Sequence, residues 1–230
     1  MNYSMELKDF LLHKGAAEVG FANLSGLVAG KITSGVSILL CLPKDVVKSI
    51  SDGPNEAYYQ QYLTLNDKLI KLAKLGADFI RAKGYEATAQ IPTTIARLEN
   101  YRTELPHKTV ATRAGLGWIG KSALFVTKEY GSAIRLTSIV TDMKLDYGTP
   151  INKSICGSCN ICVDACPGKA LSGKLWDVET DRDELFDAIK CSTKAKQLTL
   201  ERLGEEVTIC GKCIEICPYT QKYIKDIAVE

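Results

Sequence analysis

Eight of the nine cysteines crowd between Cys156 and Cys217, and their spacing constrains this chain more than any other feature. One run reads Cys156-x2-Cys159-x2-Cys162-x3-Cys166-Pro167, and a second reads Cys210-x2-Cys213-x3-Cys217-Pro218. The second is the first with its leading cysteine missing, a place that Cys191 can fill. Disulfides are a poor explanation, because nothing in the sequence marks the chain as secreted. Zinc is another poor fit, since its four ligands normally come as two short pairs separated by a longer loop. Thiolates packed this closely in one run are those that grip iron–sulfur cubanes, so two [4Fe–4S] clusters are expected.

In runs of this kind three neighbouring thiolates take corners of one cubane while the fourth reaches the other. That crossover assigns Cys156, Cys159, Cys162 and Cys217 to one cluster. It assigns Cys166, Cys191, Cys210 and Cys213 to the second. The prolines after Cys166 and Cys217 end the local turn and remove a backbone donor. Cys191 is expected near the end of a helix that starts with the capping-box-like Asp181-Arg-Asp-Glu184 and contains Leu185, Phe186 and Ile189. Cys41, inside the apolar run 35–42, is read as a small buried hydrophobe.

The 149 residues before this unit read differently. Helical and strand-like segments alternate: an amphipathic helix after Ser4, a buried strand over 35–42, and a long helix from Asn55 to Lys83 with Leu65, Leu69, Leu72, Gly76 and Phe79 on one stripe. A strand over 85–90, a helical stretch around Val110, and strands at 123–127 and 133–142 joined by a turn at 129–131 complete the pattern. Tyr147-Gly-Thr-Pro150 marks a boundary. The expected organisation is therefore an α/β domain at 1–149 and a ferredoxin-like two-cluster domain at 150–230.

At 230 residues with 46% hydrophobic composition the chain can bury a sizeable core. A net charge of +2 is too small to imply a nucleic-acid or membrane partner by itself. No signal-peptide pattern opens the sequence and no apolar stretch approaches the ~20 residues of a membrane helix, so a cytoplasmic protein is expected.

Upstream of the cysteines lie Thr112-Arg-Ala-Gly-Leu-Gly-Trp-Ile-Gly-Lys121 and Glu129-Tyr-Gly-Ser-Ala-Ile-Arg-Leu-Thr-Ser-Ile-Val-Thr-Asp142. With the opening Glu6-Leu-Lys-Asp-Phe and Ala17-Glu-Val-Gly-Phe21, these strings make the chain resemble the epoxyqueuosine reductases over most of residues 5–220. The resemblance implies a nitroreductase-like α/β domain that binds cobalamin, fused to a ferredoxin-like domain that delivers electrons to cobalt, a pairing also found in corrinoid reductive dehalogenases. It implies an external electron donor of flavodoxin or ferredoxin type and a tRNA substrate. It also assigns corrin contacts to Gly115, Gly117, Trp118, Gly120 and Lys121: glycines for close backbone approach, an indole for apolar area, and an ammonium for corrin amides. On spacing alone, the three glycines and the tryptophan read first as a tightly packed turn, and it is the family resemblance that reverses this.

Two departures from the family pattern stand out. The family carries an Asp-Thr/Ser-Ala/Gly-Pro-Val segment whose aspartate is the proposed proton donor; here that region reads Asn100-Tyr-Arg-Thr-Glu-Leu-Pro106-His and has no aspartate. Glu104 and Tyr101 are the substitutes within it, and the role of His107 is open. Longer relatives also continue into helical repeats that hold tRNA, whereas thirteen residues follow Cys217 here. The expected function is a cobalamin-dependent iron–sulfur reductase, with a ferredoxin-like or corrinoid-reducing electron carrier as the alternative.

Overall fold

The structure is a computed structural model, and it describes residues 2–28, 30–95 and 98–226. Helix α1 (Tyr3–His13) begins where the Asn2 side chain accepts the Met5 N–H at 3.1 Å. Strands β1 (Glu18–Asn23) and β2 (Ser34–Cys41) pair antiparallel, Glu18 opposite Leu39 and Asn23 opposite Ser34. A short α2 (Lys44–Ser49) precedes α3 (Glu56–Ala82), at whose start Asn55 Oδ1 accepts the Tyr58 N–H. Then come β3 (Ala87–Gln90), α4 (His107–Arg113), the two-residue strands β4 (Trp118–Ile119) and β5 (Phe125–Val126), and β6 (Ile134–Thr141). The remainder holds α5 (Ile161–Asp164), α6 (Arg182–Leu185), α7 (Ala188–Leu203), α8 (Lys212–Glu215) and α9 (Pro218–Ile224), so the fold is mixed α/β with a helical, cysteine-bearing part.

Two compact units divide the chain, and neither is one continuous segment. The first takes the residues up to Leu40, Leu65–Leu116 and Arg135–Ile151; the second takes Cys41–Thr64, Gly117–Ile134 and everything from Asn152 onward. This corrects the sequence-based cut at 149/150: stretches 41–64 and 117–134 belong with the cysteines. Local composition could not show it, because membership is decided by contacts made across more than a hundred residues.

The first unit is organised around a four-stranded sheet in the order β1-β2-β6-β3, with β3 antiparallel to β6. The stripe read from the α3 sequence is its buried face: Leu65, Leu69 and Leu72 are all at most 6% exposed. Burying each contributes roughly 1.5–3 kcal/mol. Gly76 sits on that face because an added Cβ would lie 2.5 Å from Ile139 Cδ1, too close for any other residue without repacking β6. Beside the sheet, Val110 and Ala114 of α4 close over Ala22 and Leu24, with Val140 in the same cluster.

In the second unit β4 pairs with β5, Trp118 opposite Val126, and the turn at Thr127 and Gly131 follows. The two strands flanking that turn join different sheets, β5 with β4 and β6 with the larger sheet. Residues 41–64 clasp the cysteine-rich segment. The Tyr223 hydroxyl donates to the Leu42 carbonyl at 2.9 Å, Tyr59 donates to Glu205 at 2.6 Å, and Lys212 Nζ donates to the Ser51 carbonyl at 2.9 Å. Gly211 fits against Ile50, whose Cδ1 would be 2.6 Å from an added Cβ. Among the described residues no helix is long and apolar enough to cross a membrane.

Candidate metal centre

The two cysteine runs fold into two similar pieces. In each, a four-residue helix carries one cysteine, Cys162 on α5 and Cys213 on α8, and another follows four residues on, Cys166 and Cys217, each ahead of a proline. Pro218 is accommodated at the first turn of α9, where a missing N–H costs nothing. Helices α5 and α8 pack against each other, which brings the repeated pieces together.

Proximity sorts the eight thiols into the two crossed sets. Burial pushes Cys162 up to about 11, and the charges that push it further are those of Cys217, Cys156 and Cys159. Cys191 is raised by burial first, then by Cys166 and Cys210. Cys213 is raised well above its ordinary value by burial, then by Cys210 and Cys191, with Cys162 and Cys166 following. Thus Cys166 acts within the set of Cys191, Cys210 and Cys213, although it is adjacent in sequence to Cys162, and Cys217 acts within the other. The sets meet at Cys162 and Cys213, on the packed faces of α5 and α8.

Cys191 arrives by a route that differs from the sequence expectation. The capping box at Asp181 is present, but α6 stops after Leu185 as Phe186 turns extended (φ −161°, ψ 151°). A new helix then begins, with the Asp187 side chain accepting the Lys190 N–H at 2.9 Å, so Cys191 stands in the first turn of α7 and not near the C-terminal end of the helix that starts at Asp181. The sixteen-residue α7 carries only modest apolar patterning, and Gly204 ends it in the left-handed conformation. Cys41 differs from expectation as well. It lies at the end of β2, partly exposed and beside the Tyr223 hydroxyl.

The donor set suits iron–sulfur cubanes. Tyr219 and Thr220 give backbone N–H groups to Cys217, and the nearby Ser132 hydroxyl donates to the Cys213 carbonyl at 3.3 Å; Ala170 N–H lies 3.4 Å from Cys166 Sγ; Lys212 N–H serves Cys210. Such donors stabilise thiolates that burial alone would leave protonated, and loading the site releases those protons. Among the described residues no three His, Cys, Asp or Glu side chains gather closely enough for a single metal ion.

The turn around Trp118 borders the set of Cys156, Cys159, Cys162 and Cys217. An added Cβ on Gly120 would come 3.5 Å from Cys156 Sγ. Lys121, 6% exposed, donates from Nζ to Asn160 Oδ1 at 2.8 Å, inside the loop between Cys159 and Cys162. Trp118 is 1% exposed, packs edge-on to Tyr219 at 5.0 Å, and its indole N–H finds no acceptor among the described residues. A buried N–H left so costs roughly 1–3 kcal/mol.

The residues that the resemblance assigned to a corrin are thus occupied in other ways. Gly115 (φ +76°) closes α4 and would drive a Cβ to 2.5 Å from the Thr149 carbonyl; Gly117 would drive one to 2.1 Å from the Val126 carbonyl. Gly120 meets Val126 Cγ2 at 3.0 Å. Each of the three glycines is closely packed, and Trp118 and Lys121 face the cysteine loops.

In the altered segment Glu104 and Tyr101 are both exposed, Tyr101 with a left-handed backbone (φ +61°). His107 is sequestered: its Nδ1 lies 2.8 Å from Ser138 Oγ, and burial first, then Arg135, lowers it to about 4. It is a neutral imidazole at pH 7.

Residues 155–220 match the family of 4Fe-4S double cluster binding domains. Among curated proteins, the chain is 37% identical over 119 residues to the epoxyqueuosine reductase of Lactococcus garvieae, covering 49% of this chain and 31% of that protein. It is 27% identical over 198 residues to that of Aliivibrio fischeri, covering 78% and 47%. The chain thus spans about a third to a half of the curated relatives it matches. In fold it superposes on the epoxyqueuosine reductase of Streptococcus thermophilus with a TM-score of 0.63 (22% identity, 96% of this chain, 67% of that one). It superposes on a catabolic reductive dehalogenase with a TM-score of 0.72 (18% identity, 93% and 31%). The cysteine-bearing segment 155–220 is thus of the kind that binds two 4Fe-4S clusters, and the chain is similar to epoxyqueuosine reductases over part of their length.

Proposed function

We propose that this chain is a cobalamin-dependent reductase whose two clusters form an internal relay, acting on an epoxide or similar electrophile, with the epoxide of a queuosine precursor in tRNA as the first substrate to test. The observation that carries the proposal is the crossed pair of thiol sets in one compact unit with the 117–134 turn. A free-standing carrier needs only the cysteine segment, whereas here strands β4 and β5 are built into the same unit as the clusters. In this reading the first unit has a nitroreductase-like fold, the cysteine-bearing part is ferredoxin-like, and the setting is the cytoplasm. Support comes from the relatives that bear the name epoxyqueuosine reductase, one of them solved with an epoxyqueuosine-modified tRNA stem loop, and from a dehalogenase whose structure is described as suggesting B12-dependent dehalogenation.

Bound cobalamin would supply a strongly nucleophilic, low-valent cobalt. The chain's own part is to hold both clusters, pass single electrons from an external flavodoxin- or ferredoxin-type donor across the Cys162–Cys213 junction, and exclude water from the thiolates. The absence of an aspartate between Asn100 and His107 favours the second reading, an electron carrier or corrinoid-reducing protein, because a reductase needs a proton donor there. Glu104 and Tyr101 are the donors that the reductase reading must use, since His107 is neutral and tied to Ser138.

Anaerobically reconstituted protein should alter the visible spectrum of micromolar cob(II)alamin, and with a strong reductant it should convert an epoxyqueuosine-containing anticodon stem loop. No spectral change would remove cobalamin from the account. Binding without conversion would establish the carrier reading.

A further inference from the structure

Three features gather around the set of Cys156, Cys159, Cys162 and Cys217. Trp118 is buried with its indole N–H unpaired among the described residues. Its ring packs edge-on to Tyr219, and Tyr219 gives its own backbone N–H to the Cys217 sulfur. Two residues along the same turn, Gly120 lies against Cys156 Sγ, and the next residue, Lys121, anchors the Cys159–Cys162 loop through Asn160. The turn is thus held onto the sulfur cage from three directions, with a hydrogen-bond donor enclosed in it. Buried indole N–H groups are nearly always partnered, and sulfur is the acceptor this neighbourhood supplies.

We propose that the Trp118 indole N–H donates a hydrogen bond to a thiolate or inorganic sulfide of the cluster held by Cys156, Cys159, Cys162 and Cys217, and so raises that cluster's potential above the one it would otherwise have. A donor to sulfur stabilises the reduced cluster, which carries one more negative charge, over the oxidised one. The buried Lys121 ammonium acts in the same direction. The turn therefore makes this cluster a better electron acceptor than it would be without the indole donor. Trp118 is a positioning residue, and this role rests on the two-cluster reading.

The test uses intact, anaerobically reconstituted protein after iron and sulfide have been counted. Fewer than about eight irons in the wild type would defeat the two-cluster reading itself and be seen before any potential is measured. With both clusters present, an EPR-monitored redox titration of Trp118→Phe, which keeps an aromatic ring and removes the N–H, should move one midpoint to more negative potential and leave the other in place. Since a tryptophan variant can fold poorly, the wild type is also labelled with indole-15N and reduced for pulsed EPR. A 15N coupling and an exchangeable proton should appear on one reduced cluster, persist in Trp176→Phe, which removes the only other indole, and vanish in Trp118→Phe. Unmoved midpoints, equal shifts of both, or a coupling that survives Trp118→Phe would overturn the proposal.

Discussion

The two thiol sets use the same local device and differ in what surrounds it. The set of Cys156, Cys159, Cys162 and Cys217 draws three ligands from one short run and is enclosed by a strand turn that offers Trp118, Gly120, Lys121 and Ser132. The set of Cys166, Cys191, Cys210 and Cys213 is assembled from three separate segments. Its charged neighbours stand on helices, with Lys212 and Lys194 holding Cys210 down against burial and Asp187 pushing Cys191 up. The first site is framed by backbone and buried donors; the second is framed by helix ends and solvated charges. Equal iron content in the two sites therefore does not imply equal potential or equal robustness.

The sharpest way to break this comparison is to remove the remote ligand. Cys191→Ala should lower iron from about eight to about four per chain and leave the spectrum of the other cluster intact. Total loss of iron would mean that the sites do not fill independently.

A second substitution attacks the framed site through its backbone. Gly131 has φ +59°, and an added Cβ would sit 2.2 Å from the Thr220 nitrogen, next to the N–H that serves Cys217. Gly131→Ala should destabilise by about 3 kcal/mol or more. Gly157→Ala, also left-handed (φ +55°) but facing open space, should cost only about 1 kcal/mol. Chemical denaturation of both variants checks the difference.

His107 tests whether the cluster unit responds to events in the other unit. Its ordinary pKa near 6.5 falls to about 4 on folding, so between those values the unfolded chain binds more protons. Its contribution is complete above pH 6.5 and lost as pH falls through 4, a change of about 3 kcal/mol. His107→Gln should flatten the pH dependence of unfolding in that window without changing iron content; a change in iron would couple the two regions. The smallest effect is expected at the clasp. Tyr223→Phe removes the hydrogen bond to the Leu42 carbonyl and should cost about 1 kcal/mol, with both clusters retained.

Much of this was legible in the residues. The α3 stripe and the β2 core strand follow from periodicity and apolar composition, because each is a short-range pattern. The helix expected to carry Cys191 is where the structure departs: the capping box at Asp181 is present, but Phe186 breaks the chain and Asp187 caps again one residue later. A second cap so close to the first leaves no separate periodic signal. The glycines of the 115–120 turn show the other limit. Their spacing does not show how closely they approach the Thr149 and Val126 carbonyls, which only the folded chain reveals. The enclosed indole N–H of Trp118 has no sequence signature, since burial and lack of an acceptor are both products of the folded chain.

The crossed ligation is the centre of the account, and Cys166 and Cys162, four residues apart on one run, test it most directly. Each should be changed to alanine separately, and the surviving cluster compared by EPR in the reduced state. The account predicts that Cys162→Ala and Cys166→Ala remove different clusters, with Cys166→Ala giving the same residual spectrum as Cys191→Ala. Identical residual spectra from Cys162→Ala and Cys166→Ala would mean that each run holds its own cluster, and would contradict it.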